Sequence, residues 1–252
     1  MLVAIMMGFM DDRDLLALEA ATIFELTESG RILRRNSPDQ ETGPRLRLAG
    51  CSSGNLVLIR HDVSERTAQA ITALAADEPP LRADSAPVRL DDYLELLAAE
   101  RRVAQCDAGL IWTFPDRLDY EHPAALVRSD TPEGGRLLAR LGDHRMPEAL
   151  VAAGFVDVGE FWAPWCVAIS GEEIASIAFS VGLRPVSAEI GLYTFPASRG
   201  RGFAAAVTAG WASLPALSGR ALFYSTSRSN LSSQRVTERL GLRYIGASLT
   251  IS

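Results

Sequence analysis

Apolar positions early in this chain recur at helical spacing, while those in its last third fall into short β-prone runs. From Asp11 to Glu28, Leu15, Leu16, Leu18, Ile23, Phe24 and Leu26 follow a helical period, and Gly30 closes the predicted helix. Arg31 to Gly54 is rich in Pro, Gly, Asn and Arg and reads as loop. NLVLIR (Asn55–Arg60) predicts a strand, and Ser64 is placed to N-cap a helix through Ala76 that Pro79 and Pro80 stop. A further helix is expected from about Asp91 to Arg102, then a strand over Ala108–Phe114.

Pro115 to Asp130 is turn-rich and marks an expected boundary between a region 1–123 and a region 124–252. Short helices fill Pro132 to Ala153, and the texture then changes. WCVAIS, EEIASIAFSVG and SAEIGLYTF are three β-prone runs, with Gly171 between the first two and Gly182 to Pro185 before the third. This spacing predicts an antiparallel meander. A helix Gly202–Leu214, a strand Ala221–Thr226, a helix Asn230–Leu240 with Gly241 as its C-cap, and a strand from Leu242 complete the chain. The fold class is mixed α/β.

Composition narrows the choice of function. With 48% hydrophobic and 22% charged residues, the 252-residue chain has the balance of a globular protein with sizeable cores. No apolar run approaches the ~20 residues that span a bilayer, so no membrane association is expected. The opening MLVAIMMGFM lacks a basic leader and runs into DDRD, which reads as a strand or helix lead-in rather than a signal peptide. Cys51, Cys106 and Cys166 lie far apart, as do His61, His122 and His144. That spacing argues against a disulfide framework and a metal site, and it fits a cytoplasmic protein. Asp143 beside His144 reads as an exposed pair, Cys166 as a buried small hydrophobe, and Trp162 and Trp165 as core rather than pocket wall.

Charge is unevenly spread. Every basic residue is arginine, and the stretch Arg199–Arg243 carries a formal +6 on a chain of −6 overall. A locally basic end on an acidic protein of pI near 5.2 suits a compact anion and not nucleic acid. Within that stretch, TFPASRGRGFAAAVTAGWA opens a helix with Gly200 and Gly202 between Arg199 and Arg201. A helix N-terminus offers unpaired N–H groups and a partial positive charge, and glycines let a phosphate approach them. A tight turn with solvated arginines is the alternative. A dinucleotide fingerprint would need a third glycine where Ala205 stands, and a P-loop would need a lysine.

Context supplies more. Arg199-x-x-Gly202-x-Ala204 matches the [Q/R]-x-x-G-x-[G/A] turn of the GNAT superfamily of acyl-CoA-dependent N-acyltransferases, and Glu189–Pro196 looks like that family's strand leading into it. Asn230, Ser233, Val236, Leu240, Gly241 and Leu242 resemble the second family signature, N-x-x-S-x-x-V-x-x-x-LG-[FL]. The resemblance spans roughly Pro132 to Ser252, is closest to bacterial members with a long N-terminal region, and allows region 1–123 to be a divergent GNAT-like half. It implies a mostly antiparallel sheet flanked by helices, and acetyl-CoA as cosubstrate without a metal. It also implies a cofactor site from Leu192, Tyr193 and Thr194, from Arg199, Gly200, Arg201, Gly202, Phe203 and Ala204, and from Asn230 and Ser233.

The implied function is N-acetyl transfer to an amine of a small molecule or protein; the alternative is a non-catalytic acyl-CoA-binding regulatory module. Homodimer formation is left open. Such chemistry needs a base for the amine and an acid for the departing thiolate. Glu189 is the expected base, by resemblance to carboxylates on this strand. Many relatives carry Tyr seven residues after the motif asparagine, where this chain has Thr237, so the acid is unassigned among Tyr224, Tyr193 and water.

Overall fold

The computed structural model of the protein describes residues 10–143 and 145–252. The apolar opening segment and His144 lie outside them. Helix α1 (Asp12–Ile23) is N-capped by Asp11, whose carboxylate accepts from the Asp14 N–H at 2.8 Å. It ends earlier than the periodicity predicts. Phe24 leaves the helix in extended conformation, and β1 (Phe24–Leu26) pairs antiparallel with β2 (Ile32–Arg35).

The segment expected to be loop also holds β3 (Leu46–Cys51), which forms a hairpin with β4 (Gly54–Ile59). Every residue of β3 is buried, so the polar–apolar alternation that marks a half-exposed strand is missing. Its arginine is buried by pairing: two hydrogen bonds of 2.8 Å join the Arg47 guanidinium to the Glu19 carboxylate. Helices α2 (Glu65–Ala76), capped by Ser64, and α3 (Leu90–Ala98) follow, then β5 (Cys106–Thr113).

β6 (Ala125–Arg128) lies in the segment read as turns, ahead of α4 (Pro132–Asp143) and α5 (Glu148–Ala152). The expected meander is present as β7 (Cys166–Ser170), β8 (Glu173–Leu183) and β9 (Ser187–Thr194), all antiparallel. Then come α6 (Phe203–Ala212), β10 (Ala221–Ser227), α7 (Leu231–Arg239) and β11 (Arg243–Ile251). Gly241 follows α7 at φ +63°, the left-handed position that closes a helix.

Nine strands form one sheet in the order β4-β3-β11-β5-β10-β9-β8-β7-β6. Strand β5 lies between β10 and β11, antiparallel to both, so the sheet draws strands from both sides of Pro123. On one face, α6 and α7 share a core with α2 and α3, in which Trp211, Tyr224, Ile71 and Leu97 are buried. On the other face, Leu15 and Leu16 of α1 pack on Ile111, Phe223 and Ile245, and α4 and α5 cover Val167 and Ile177. Cys166 is fully buried under α6, where a side chain at Gly210 would stand 2.6 Å from its sulfur.

Candidate active site and cofactor cleft

β9 and β10 run parallel but pair only over Ala221↔Ser187, Leu222↔Ala188 and Phe223↔Glu189. Beyond that point β10 stays with β5 and β9 stays with β8, so the two strands part. The Phe195 N–H bonds Ala175 on β8, and backbone groups in an antiparallel pair alternate sides. Those of Ile190, Leu192 and Thr194 therefore face the opening. A cavity of about 490 Å³ fills it, with Leu192, Tyr193 and Thr194 on its β9 wall.

The cavity ends on the mouth of α6. Gly200 and Gly202 have φ of +75° and +84°, and Gly202 is the helix N-cap with no side chain to cap the first turn. The first N–H groups of α6 are thus free for a ligand, and Gly202, Phe203 and Ala204 line the cavity. Crowding also demands glycine here: a Cβ on Gly202 would stand 2.8 Å from His122 Nε2 and 3.4 Å from Arg239 Nη1. His122 is fixed above the turn by the Arg201 carbonyl at 3.1 Å and by the edge of Phe203.

Helix α7 makes the opposite wall. Asn230 caps it, accepting from the Ser233 N–H at 3.1 Å. Ser232, Arg235 and Arg239 line the cavity from successive turns, bringing two guanidinium groups toward the α6 mouth in addition to Arg199. Their three- and four-residue spacing on a predicted helix is the signal that sequence reading passed over. Of the eleven expected cofactor residues, ten surround this cavity. The exception is Arg201, whose guanidinium lies 4.8 Å over the Phe203 ring and reaches Ser170 Oγ at 3.3 Å. It adds positive charge beside the cavity without walling it.

Glu189 occupies the point where the strands separate and faces the other side of the sheet. It is 2% exposed; Oε1 accepts from Ser225 Oγ at 2.7 Å, and Oε2 has no hydrogen-bond partner. Burial, reinforced by the Glu19 charge, raises its pKa to about 8 against the opposing pulls of Ser225 and Arg47. Burial also pushes Glu19 upward, with Arg47 resisting. Two buried carboxylates share one guanidinium, so one of them keeps its proton near neutral pH. The Glu19–Arg47 ion pair leaves that proton on Glu189.

Glu189 opens onto a second cavity of about 380 Å³, together with Ser225, Phe24, Val181 and Trp162. Trp162 therefore walls a pocket, contrary to its expected place in the core, because the chain before β7 carries it to the rim over Phe179. Trp165 is buried as expected. Tyr224, the first β10 residue past the parting, is 1% exposed, and its hydroxyl lies 2.6 Å from Ser233 Oγ. Burial raises that phenol to about 12. Thr237 is buried and donates to the Gln234 carbonyl at 2.7 Å, so its hydroxyl is occupied within α7. Among the described residues, no cluster of His, Cys, Asp and Glu could hold a metal ion, and no helix is long and apolar enough to cross a membrane.

No family model and no curated protein matches this chain. Solved structures do. The chains it is similar to include GNAT-family acetyltransferases. One, named as a GNAT-family acetyltransferase from Novosphingobium aromaticivorans DSM 12444, is 22% identical with a TM-score of 0.41. The match covers 60% of this chain and 66% of that one, just under two thirds of its length. A GCN5-related N-acetyltransferase-like protein from Streptococcus suis 89/1591 is 15% identical at a TM-score of 0.46, covering 84% and 85%. A tandem GNAT protein from the clavulanic acid biosynthesis pathway is 13% identical at 0.46, covering 84% and 79%.

Proposed function

We propose that this chain is a GNAT-type N-acyltransferase that moves an acetyl group from acetyl-CoA to an amine. The observation that carries the reading is the parting of β9 from β10 over a cavity that ends on a glycine-opened, uncapped helix. Backbone groups of Leu192 and the Thr194 N–H are placed to pair with an extended amide chain as an added strand would, while the Thr194 carbonyl accepts from Arg199 Nε at 3.3 Å. The first N–H groups of α6, with Arg199, Arg235 and Arg239, suit a pyrophosphate.

The two faces then divide the chemistry. The thioester enters from the α6–α7 side, and the amine reaches it from the Glu189 side. Glu189, after its carboxyl has released its own proton to solvent, takes a proton from the neutral amine nitrogen as that nitrogen bonds the acyl carbon and the carbon–sulfur bond breaks. Tyr224, through Ser233, supplies a proton to the departing thiolate; a phenol near 12 is fully protonated at the start of each turnover. Thr237 cannot do this while it donates to Gln234.

A thiol reporter with acetyl-CoA and a panel of amines tests the activity, and calorimetry with CoA tests binding. Gly202→Glu puts bulk and negative charge where the phosphate would sit and is expected to abolish CoA binding. Undiminished CoA affinity in that variant overturns the site. A chain that binds CoA but releases no thiol with any amine is the non-catalytic acyl-CoA-binding module instead.

A further inference from the structure

The cavity on the Glu189 side holds more acid than its arginines neutralise. Six ionisable side chains reach it: Arg35, Asp39, Glu41, Arg47, Asp107 and Glu189. Arg47 is engaged by Glu19, and Arg35 faces Glu41 at 3.8 Å. Asp39, Asp107 and Glu189 are left without a salt-bridging partner among the described residues. Of these only Glu189 is buried, with Oε2 unpartnered; Asp39 and Asp107 are exposed at the rim. The cavity thus has one acid at its inner end and two at its mouth.

The strands set the distance between them. Ser225, which bonds Glu189, lies opposite Ile111 on β5, and Asp107 begins four residues earlier on the same face of that strand. At ~3.3 Å per residue this is ~13 Å. Between them the floor is low and polar: Gly109 has no side chain, and Ser227, Ser248 and Thr250 surround it. A Cβ at Gly109 would come 2.7 Å from Ser248 Oγ, so with glycine the groove here is as deep as the backbone permits. Ile23, Phe24 and Trp162 give the cavity apolar walls.

We propose that the acceptor is an unbranched dication, a linear α,ω-diamine or polyamine, with its reacting nitrogen at Glu189 and its far ammonium between Asp39 and Asp107. This rests on the acyl-transfer reading and names its substrate class. Allowing ~3 Å of hydrogen-bond contact at each end leaves ~7 Å or more between the nitrogens, which calls for five or more carbons. Methylenes lie along Phe24 and Trp162. An acceptor whose far end is a carboxylate meets Asp39 and Asp107 there and is repelled. The entering ammonium favours ionised Glu189, whose own proton leaves to solvent; the ammonium's proton must also reach solvent before the neutral nitrogen attacks and passes its next proton to Glu189.

The test is calorimetric titration of the full chain with 1,5-diaminopentane, spermidine, pentylamine and 6-aminohexanoate, without and with CoA, alongside thiol release from acetyl-CoA. The diamine and spermidine are expected to bind at least ~10-fold more tightly than pentylamine, with affinity falling as salt rises, and 6-aminohexanoate not at all. Asp39→Asn with Asp107→Asn, both exposed sites that leave the core alone, should erase most of that preference and raise KM for the diamine more than they lower kcat. Equal binding of pentylamine, binding of 6-aminohexanoate, or no loss in the double variant overturns the proposal. Diamine binding by a chain that does not bind CoA supports this pocket and sinks the acyl-transfer reading. CoA-dependent turnover without diamine preference does the reverse.

Discussion

Replacing Glu189 by glutamine should change how stability depends on pH. In the folded chain this carboxyl titrates near 8, against an ordinary value of 4.5, because it is buried beside Glu19 with one oxygen unpartnered. Between those two values the folded chain keeps a proton that the unfolded chain has released. The stability tied to that proton is complete below pH 4.5 and is lost as pH rises to about 8. Each pH unit carries ~1.4 kcal/mol, so the full window amounts to about 5 kcal/mol, reduced by however far Arg47 turns toward Glu189. Glutamine keeps the neutral shape and cannot ionise. Urea melts of both proteins, followed by tryptophan fluorescence from pH 5 to 9, give the difference for the coupled Glu189–Glu19 pair, since groups remote from it titrate in both. The wild type should lose several kcal/mol relative to Glu189→Gln across that range. A flat difference would mean that Glu189 is ionised at pH 5 and that Arg47 serves it rather than Glu19, and the assignment of the proton would be wrong.

Two further outcomes follow from the cleft and the sheet. Arg239→Ala should weaken CoA binding about tenfold and flatten its salt dependence while leaving the fold intact, because the side chain is exposed; calorimetry at two salt concentrations checks this. The fragment 124–252 should aggregate rather than fold, since without β5 both β10 and β11 present bare edges flanked by buried apolar residues. Size-exclusion chromatography showing a folded, monodisperse fragment would refute that.

How much of this was readable depends on how local each feature is. The meander was legible because Gly171 and the Gly182–Pro185 break punctuate runs of β-prone residues, and the α7 ends because Asn230 and Gly241 act through their own neighbours. β3 was hidden: with both faces buried it has no alternation, and Arg47 looks like a surface residue until Glu19 is beside it. The place of β5 between β10 and β11 is a non-local pairing that no periodicity records. Glu189 is expected as the base only by resemblance to carboxylates on this strand in the GNAT family. Its proton affinity could not be read from the sequence, since that depends on Glu19 and Arg47, contributed by an early helix and an early strand.

That dependence argues against treating the N-terminal region as an accessory to the chemistry. A sheet in which every strand was fully paired would separate its two faces completely. The parting of β9 from β10 leaves an opening, and β5 fixes its β10 edge by pairing along Phe223–Ser227 on the far side. The same strand runs from Ile111, opposite the Ser225 that bonds Glu189, out to Asp107 at the rim of the acidic cavity. Helix α1 and β3 deliver the Glu19–Arg47 pair that leaves the proton on Glu189. If an acyl donor and an amine meet through this opening, one segment of the early chain fixes its β10 edge, another sets the charge of the base, and a third shapes the path of the amine. Removing the region would then cost more than affinity for the acceptor: Glu189 would lose the surroundings that hold its proton, and β10 the partner that holds it in the sheet.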